Sequence, residues 1–351
     1  MMKKMLVLAL AGIMTISTLT GCKSVKTVDS EEVLMTVNGE EVKAGVANFY
    51  ARYTQAQYDA NFKSYYGMSM GAEQWASEAA EGVTYEEYLK DTALEMMQIM
   101  VLAEQHMGDY NVELSDADKE AIASATQEFV ADNAKENREK VSGDEATVER
   151  FMTLQTIISK VQLAIADSVD KNVTDEEAAQ KEMEFVYFSY KKADDEGAAV
   201  DLTEDEIKAL KEDADEFVQN VRDGADFTKE AEGRGLTVEE VTFDAESSAI
   251  SPEAIMEADG LAVGEVSDAV DTTNGIYVMK LVSEFDKEAT DAKKDEIVAQ
   301  RQSDAYVAAC EEWMAEASIE VNEDVWAKVD FKELTVNIKV EETEEAEETA
   351  E

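Results

Sequence analysis

Few side chains in this sequence have the types and spacings that suit chemistry. His106 is the single histidine, so one chain cannot assemble a histidine zinc site or a multi-histidine catalytic centre. It falls in the last turn of a predicted helix, just before Gly108, where the helix C-terminus favours a cation, so its expected role is structural. Cys22 and Cys310 are the only cysteines and form no Cys-x-x-Cys pair, which excludes a dithiol redox motif and a cysteine zinc cluster. Gly67-Met68-Ser69-Met70-Gly71 matches the Gly-x-Ser-x-Gly hydrolase pattern. That elbow needs a strand before the serine and a helix after it. Here a helical pattern precedes it and His106 would have to be the base, so the match reads as chance. The acid clusters hold no Asp-x-Asp-x-Asp-Gly loop closed by a glutamate, so they read as solvated faces. Nothing resembles a phosphate-cradling glycine loop or a nucleic-acid motif. No metal or cofactor is expected.

The bulk composition sets the frame for these residues. The chain has 351 residues, with 80 Asp and Glu against 31 Lys and Arg, a formal net charge of −49. With 45% apolar residues it can bury a core, and its length suits about two domains. The charge opposes broad electrostatic binding to nucleic acid or to anionic lipid, since both are polyanions. Pro252 is the only proline, so polyproline linkers are absent and turns fall to Gly, Asn and Asp.

The N-terminus reads as an address. Met1-Met2-Lys3-Lys4 is basic, Met5 to Leu19 is mostly apolar, and Leu19-Thr20-Gly21-Cys22 resembles a bacterial lipobox, cut before the cysteine. Residues 1–21 are thus expected to be a lipoprotein signal peptide, Cys22 the lipidated residue, and 22–32 a polar tether. The competing reading is an ordinary secretory signal with a coincidental cysteine. Losing Lys3 and Lys4 makes the remaining chain more acidic, so a lipid must supply any membrane attachment.

Beyond the tether, Val33 to Val42 reads as a hairpin around Asn38-Gly39. A helical pattern runs from about 43 to 66. Thr84-Tyr85-Glu86-Glu87 is a capping box for a second helix carrying Met96, Met97 and Met100. Ser115 caps a third, and Ser142 to Glu145 opens a fourth with Phe151, Leu154, Ile157, Ile158 and Val161 on one face. The span from about 43 to 178 is therefore expected to be all helical. The pattern changes near 183. Glu184 to Tyr190 is β-favouring, Thr203 caps an amphipathic helix, and short helices and strands follow to a last alternating strand at Gly275–Val282. A long helix is expected at about 288–317, one or two short strands at 319–340, and a disordered acidic tail at 341–351. The fold class expected is α+β. The domains are 33–182, helical; 183–286, a small α+β unit; and 287–340, a C-terminal helix and strands packing on the first domain.

Three pieces of the 183–286 unit resemble a parvulin-type peptidyl-prolyl isomerase domain. They are Asp223-Gly224-Ala225-Asp226-Phe227 with Ala231, then Leu261-Ala262-Val263-Gly264-Glu265-Val266-Ser267, then Thr272-Thr273-Asn274-Gly275-Ile276-Tyr277-Val278-Met279-Lys280-Leu281. With the lipobox, the Val-Asn-Gly hairpin, the helical segment before and the returning helix after, the chain resembles a PrsA/SurA-type foldase over nearly all its mature length. The resemblance implies a helical chaperone domain made by both chain ends, with the parvulin-like unit inserted. It implies attachment to the outer face of a bacterial cell membrane through the N-terminal lipid, unfolded or newly exported polypeptides as partners, and peptidyl-prolyl isomerisation as the activity. The sequence departs from the family at its two histidine positions, which fall near Val186 or Tyr187 and at Tyr277. The Gly-x-Leu-Gly turn expected around Glu246–Ile250 is missing, and Asp259 stands where an aromatic is expected.

Isomerisation breaks no bond. It is rotation about an amide, with a barrier of about 18–20 kcal/mol, and needs a site that favours the twisted form. Loss of the histidines therefore leaves two outcomes open, an isomerase with an altered pocket or a chaperone-only protein. The candidate peptide groove is Tyr187, Phe243, Met256 and Tyr277. Against it stands the plainer reading that both tyrosines are packed strand aromatics needing one hydroxyl partner each. Met96, Met97, Met100 and Met107 could form an adaptable client surface, but their helical spacing favours core packing. Cys310, with Tyr306, Trp313 and Met314 one turn away, reads as a buried free thiol. The rival from another class is a transporter solute-binding lipoprotein, which would need two α/β lobes with many strands.

Overall fold

The computed structural model describes residues 14–17, 28–194, 197–333 and 335–338. The signal-peptide expectation apart from 14–17, Cys22, the tether up to residue 27 and the tail 341–351 lie outside the described residues. Helices dominate, the sheets are small, and the fold class is α+β.

In chain order the structure opens with strand β1 (Met14–Ser17), then β2 (Val33–Val37) and β3 (Glu40–Lys43). Helix α1 (Ala44–Tyr66) and the single-turn α2 (Ala72–Trp75) lead to β4 (Glu78–Ala80) and β5 (Val83–Thr84). Next come α3 (Tyr85–His106), α4 (Asp116–Asp132), α5 (Lys135–Arg138) and α6 (Glu145–Ser168). The second part holds β6 (Lys181–Ser189), β7 (Lys191–Ala193), β8 (Ala199–Asp201), α7 (Glu204–Arg222) and α8 (Phe227–Gly233). It continues with β9 (Glu239–Phe243), α9 (Pro252–Asp259), β10 (Val270–Asp271) and β11 (Gly275–Ser283). The chain then runs through α10 (Lys287–Glu316), β12 (Ile319–Val321), α11 (Glu323–Trp326) and β13 (Thr335–Ile338).

These elements form two compact units, one of residues 1–169 with 302–351, the other of residues 170–301. In the first unit, Asn38 and Gly39 take positive φ in the β2–β3 turn, which suits a two-residue hairpin connection. β12 adds to the free edge of β2, and β13 pairs antiparallel with β1. The core gathers one face of each long helix, with Phe49, Phe129 and Phe151 meeting edge to face at ring-centroid distances of 5.1 and 5.3 Å from Phe49. Met97 and Met100 are fully buried and Met96 and Met107 pack against them, so the methionines fill the core. The all-helical expectation for 43–178 fails at two places. β4 and β5 form a small hairpin, and residues after Ser168 leave the helix.

Polar contacts hold the C-terminal segment to α1 and α3. Arg52 Nη1 donates to Gln55 Oε1 at 2.9 Å, and Gln55 Nε2 donates to the Phe331 carbonyl at 2.9 Å. The Phe331 amide donates to Glu86 at 3.0 Å, and Lys332 pairs with the same carboxylate at 2.7 Å. Arg52 is buried with its guanidinium 5.6 Å from the Phe331 ring centre. Burial pulls its pKa down to about 10, with Asp330 and Glu86 acting against the fall. His106 stacks on Trp313 at 5.2 Å and contacts Asp109 at 2.9 Å through Nδ1. Cys310 is half-buried, and burial raises its thiol pKa.

The second unit is built on one antiparallel sheet in the order β10-β11-β6-β9. Because side chains alternate along a strand, the sheet sorts its residues onto two faces. Val186, Phe188, Ile276 and Val278 face α7 and α8, meeting Phe217 and Phe227. Met183, Phe185, Met279 and Leu281 face α9, meeting Ala254, Ile255 and Ala258. Thr203, Asp226 and Ser251 each accept a backbone N–H at the start of α7, α8 and α9, and Pro252 takes the first turn of α9. These caps satisfy amides that otherwise have no intrahelical partner.

Candidate functional site

On the α9 side of this sheet, the β6–β11 register sets Tyr187 directly opposite Tyr277, and β10 brings Val270 opposite Tyr277 on its other flank. The two phenol rings lie 4.6 Å apart and the Phe185 ring is 5.8 Å from that of Tyr277. One row further in, Phe185 pairs with Met279 on β11 and with Glu239 on β9. The outcome is an aromatic row over an apolar floor, with a carboxylate at its side. Of the two positions offered for the first family histidine, Val186 is buried on the opposite face and only Tyr187 shares a face with Tyr277.

Gly275 makes the Tyr187 position possible. A Cβ built at Gly275 would lie 2.6 Å from Tyr187 ring atoms and 2.4 Å from the Phe188 carbonyl oxygen. The ring therefore lies across a backbone position that only glycine leaves open.

Both tyrosines are half-buried and pack against the core of this face. Neither hydroxyl makes a hydrogen bond to the described residues, in contrast to Tyr190, whose hydroxyl donates to Asp271. Burial raises the Tyr187 pKa; burial, then the Tyr187 phenol and the Glu239 carboxylate, raise that of Tyr277. Each phenol is therefore neutral at physiological pH, and its O–H is free to donate to a carbonyl.

The other two groove residues stand apart from this pair. Phe243 is 0% exposed and belongs to the core beneath α9, while Met256 is 73% exposed on that helix. Asp259, at the end of α9, meets Lys181 at 2.8 Å, so a cation answers the carboxylate that replaces the expected aromatic. Sequence reading missed Glu239, Phe185 and Val270 as neighbours of Tyr277. Only strand register joins them, although the period-two pattern of Lys181–Ser189 could have put Phe185 on the Tyr187 face. Ser267 is buried and accepts the Met279 amide at 3.0 Å, which fixes the 261–267 segment beside β11.

An open cavity of about 700 Å³ lies on the other side of the sheet, lined by Arg222, Asp226, Phe227, Glu265 and Lys280 among others. Its charges are already engaged. Arg222 pairs with Asp268, Lys280 with Glu184, Asp226 caps α8 and Glu265 accepts the Ala262 amide. Among the described residues there is no cluster of metal-ligating side chains, and no helix is long and apolar enough to cross a membrane.

No protein-family model matches the chain, and no curated protein matches it. Among solved structures, the chain is similar to PrsA foldases and SurA-like chaperones over most of its length. It is 20% identical to the foldase protein PrsA from Streptococcus pneumoniae, covering 72% of this chain and 98% of that one with a TM-score of 0.30. To the peptidylprolyl isomerase PrsA from Bacillus cereus it is 15% identical, covering 72% and 97% with a TM-score of 0.33. To a SurA-like chaperone of Campylobacter jejuni it is 11% identical, covering 83% and 99% with a TM-score of 0.27. The superposition scores are low, so what this chain does is read from its own residues.

Proposed function

We propose that this chain is an extracytoplasmic foldase that holds extended segments of newly exported polypeptides on the Tyr187–Tyr277 face of a parvulin-like unit. The observation that carries this reading is a cross-strand pair of neutral phenols, whose hydroxyls make no hydrogen bond to the described residues, over an apolar floor, at the positions where the resemblance puts the family histidines. An extended peptide presents carbonyl oxygens to such donors and apolar side chains to such a floor. Client holding needs only these contacts. Isomerisation needs in addition that the twisted prolyl amide be held better than the planar one, and the unpaired phenols are the groups that would do it here.

The transporter solute-binding reading has no support in the described residues. It requires two strand-rich lobes, whereas the one larger sheet has four strands, all antiparallel. Membrane attachment would come through a lipid on Cys22. Cys22→Ser should release the protein from the membrane fraction; a variant still bound there would remove the anchor from the proposal.

Exchange NMR on an Ala-Pro peptide separates holding from isomerising. Acceleration of cis/trans exchange that Tyr277→Phe abolishes would make this an isomerase acting through the phenols. Binding without acceleration would make it a holding chaperone. Absence of both would remove the function from this face.

A further inference from the structure

Exposed aromatic residues concentrate at one place in the first unit, around the C-terminus of α1. Tyr65 is 85% exposed, Tyr66 68%, Met68 58% and Tyr88, on α3, 52%. Half-buried Phe62, packed against the core, lies beside them with its ring 4.5 Å from that of Tyr66. Tyr58 and Tyr85 lie beneath with rings 5.9 Å apart. The Tyr58 phenol is raised by burial first, and then by the phenols of Tyr85, Tyr88 and Tyr66, which places four hydroxyls in one neighbourhood. A soluble surface does not ordinarily gather large apolar side chains in this way without a partner.

The patch is held in shape. Gly67 ends α1 in the left-handed region at φ 72°, its N–H donating to the Lys63 carbonyl. Three residues on, Met70 is buried and its amide donates to the buried Asp59 carboxylate at 2.5 Å. The Gly67–Gly71 segment is thus pinned at both ends with Met68 facing out. This is the stretch that mimics a hydrolase elbow, and here it forms a platform.

Charge selects the occupant. In the stretch of chain that carries the patch, Glu73, Glu78, Glu81, Glu87 and Asp91 are all exposed, the last two flanking Tyr88 on α3. Lys63 is the one exposed cation between residues 61 and 91; Lys332, from the C-terminal segment, is exposed near Glu87 but is paired with Glu86 at 2.7 Å, and Lys90 is turned inward, donating to the Val329 carbonyl at 2.7 Å and lying 5.5 Å from the Trp326 ring centre. Tyrosine faces attract Lys and Arg side chains, and the acidic residues add long-range attraction. A second copy of this chain is disfavoured as the occupant because its net charge of −49 repels its like.

We infer that Phe62, Tyr65, Tyr66, Met68 and Tyr88 form a docking platform for extended polypeptide segments that carry Lys or Arg beside aromatic or aliphatic residues. It rests on the foldase reading only for the nature of the partner and uses none of the residues of the Tyr187–Tyr277 face.

The test is fluorescence anisotropy on the full chain with two labelled peptides of alternating sequence, Lys-Phe and Glu-Phe. The Lys-Phe peptide should bind about tenfold or more tightly than its acidic twin, and salt should weaken it. Combining Tyr65→Ser, Tyr66→Ser and Tyr88→Ser should lower affinity for the Lys-Phe peptide about tenfold while leaving the Ala-Pro exchange rate unchanged. Should that variant fold poorly, Glu81→Lys with Asp91→Lys should erase the preference between the two peptides. Equal binding of both peptides by the unmodified chain would overturn the inference. So would a triple variant that binds as the parent does, or self-association that the triple variant loses. Failure of the Tyr187–Tyr277 face to bind Ala-Pro peptide would leave these readouts standing, so the two proposals fail separately.

Discussion

Tyr187 and Tyr277 meet because strand pairing sets them opposite each other, and Gly275 leaves room for the Tyr187 ring beside the neighbouring strand. Gly275→Ala should cost about 1–3 kcal/mol by overpacking, measured by chemical denaturation, and should displace the Tyr187 ring. A variant as stable as the parent would contradict the close approach. The phenols also make a pH prediction. Both are raised by burial, so the folded state favours their neutral form. Their contribution to stability is fully present below the ordinary phenol value of about 10, and is lost as pH rises through the raised folded values. The difference between alkaline absorbance titrations of the parent and Tyr277→Phe should show a midpoint above that ordinary value. Tyr187→Phe should bring it down, because the Tyr187 phenol is one of the causes.

The helices begin where short polar side chains stand ready to take the first amides. Thr84 accepts the Glu87 amide at 3.2 Å while Glu87 accepts the Thr84 amide at 2.9 Å. Thr84→Ala should destabilise the protein by about 1 kcal/mol, whereas Thr92→Ala, on the exposed side of α3, should change stability by less than about 0.5 kcal/mol. Denaturant melts of the two variants decide between them. Capping signals of this kind, together with Asn38-Gly39 and Ser251-Pro252, made most elements legible in the sequence because they act over three or four residues. The β4–β5 hairpin was not legible. Glu78-Ala79-Ala80 has no alternating pattern and favours helix by propensity, and Gly82, at φ 75°, was the only local signal of a turn. The candidate site was half legible. The tyrosines could be placed on strands, but whether Val186 or Tyr187 faces Tyr277 depends on the register between residues about ninety apart in sequence. The same limit hid the exposure of Tyr65 and Tyr66. Their aromatic run at the end of a helix reads like core until the neighbouring elements are in place.

The first unit depends on contacts between segments more than two hundred residues apart. Arg52 takes part in them as a large, fully buried side chain, hydrogen-bonded to Gln55 and packed over the Phe331 ring with Glu86 and Asp330 nearby. Arg52→Ala should destabilise this unit by about 2 kcal/mol or more, since it leaves a cavity beside the Phe331 ring and removes one of the cations near Asp330 and Glu86. Arg52→Met should recover part of the loss, and thermal unfolding of both variants checks the order. The excess of acids, 80 against 31 bases, opposes self-association of a chain with exposed aromatic groups. It also biases those groups toward cationic partners. The most direct test of the foldase account is site-specific photo-crosslinking with p-benzoylphenylalanine in place of Tyr277, and with the same group at exposed Leu163 on α6 as control. An unfolded polypeptide should be captured at position 277 and not at 163. Capture at neither position, or equally at both, would contradict the foldase reading.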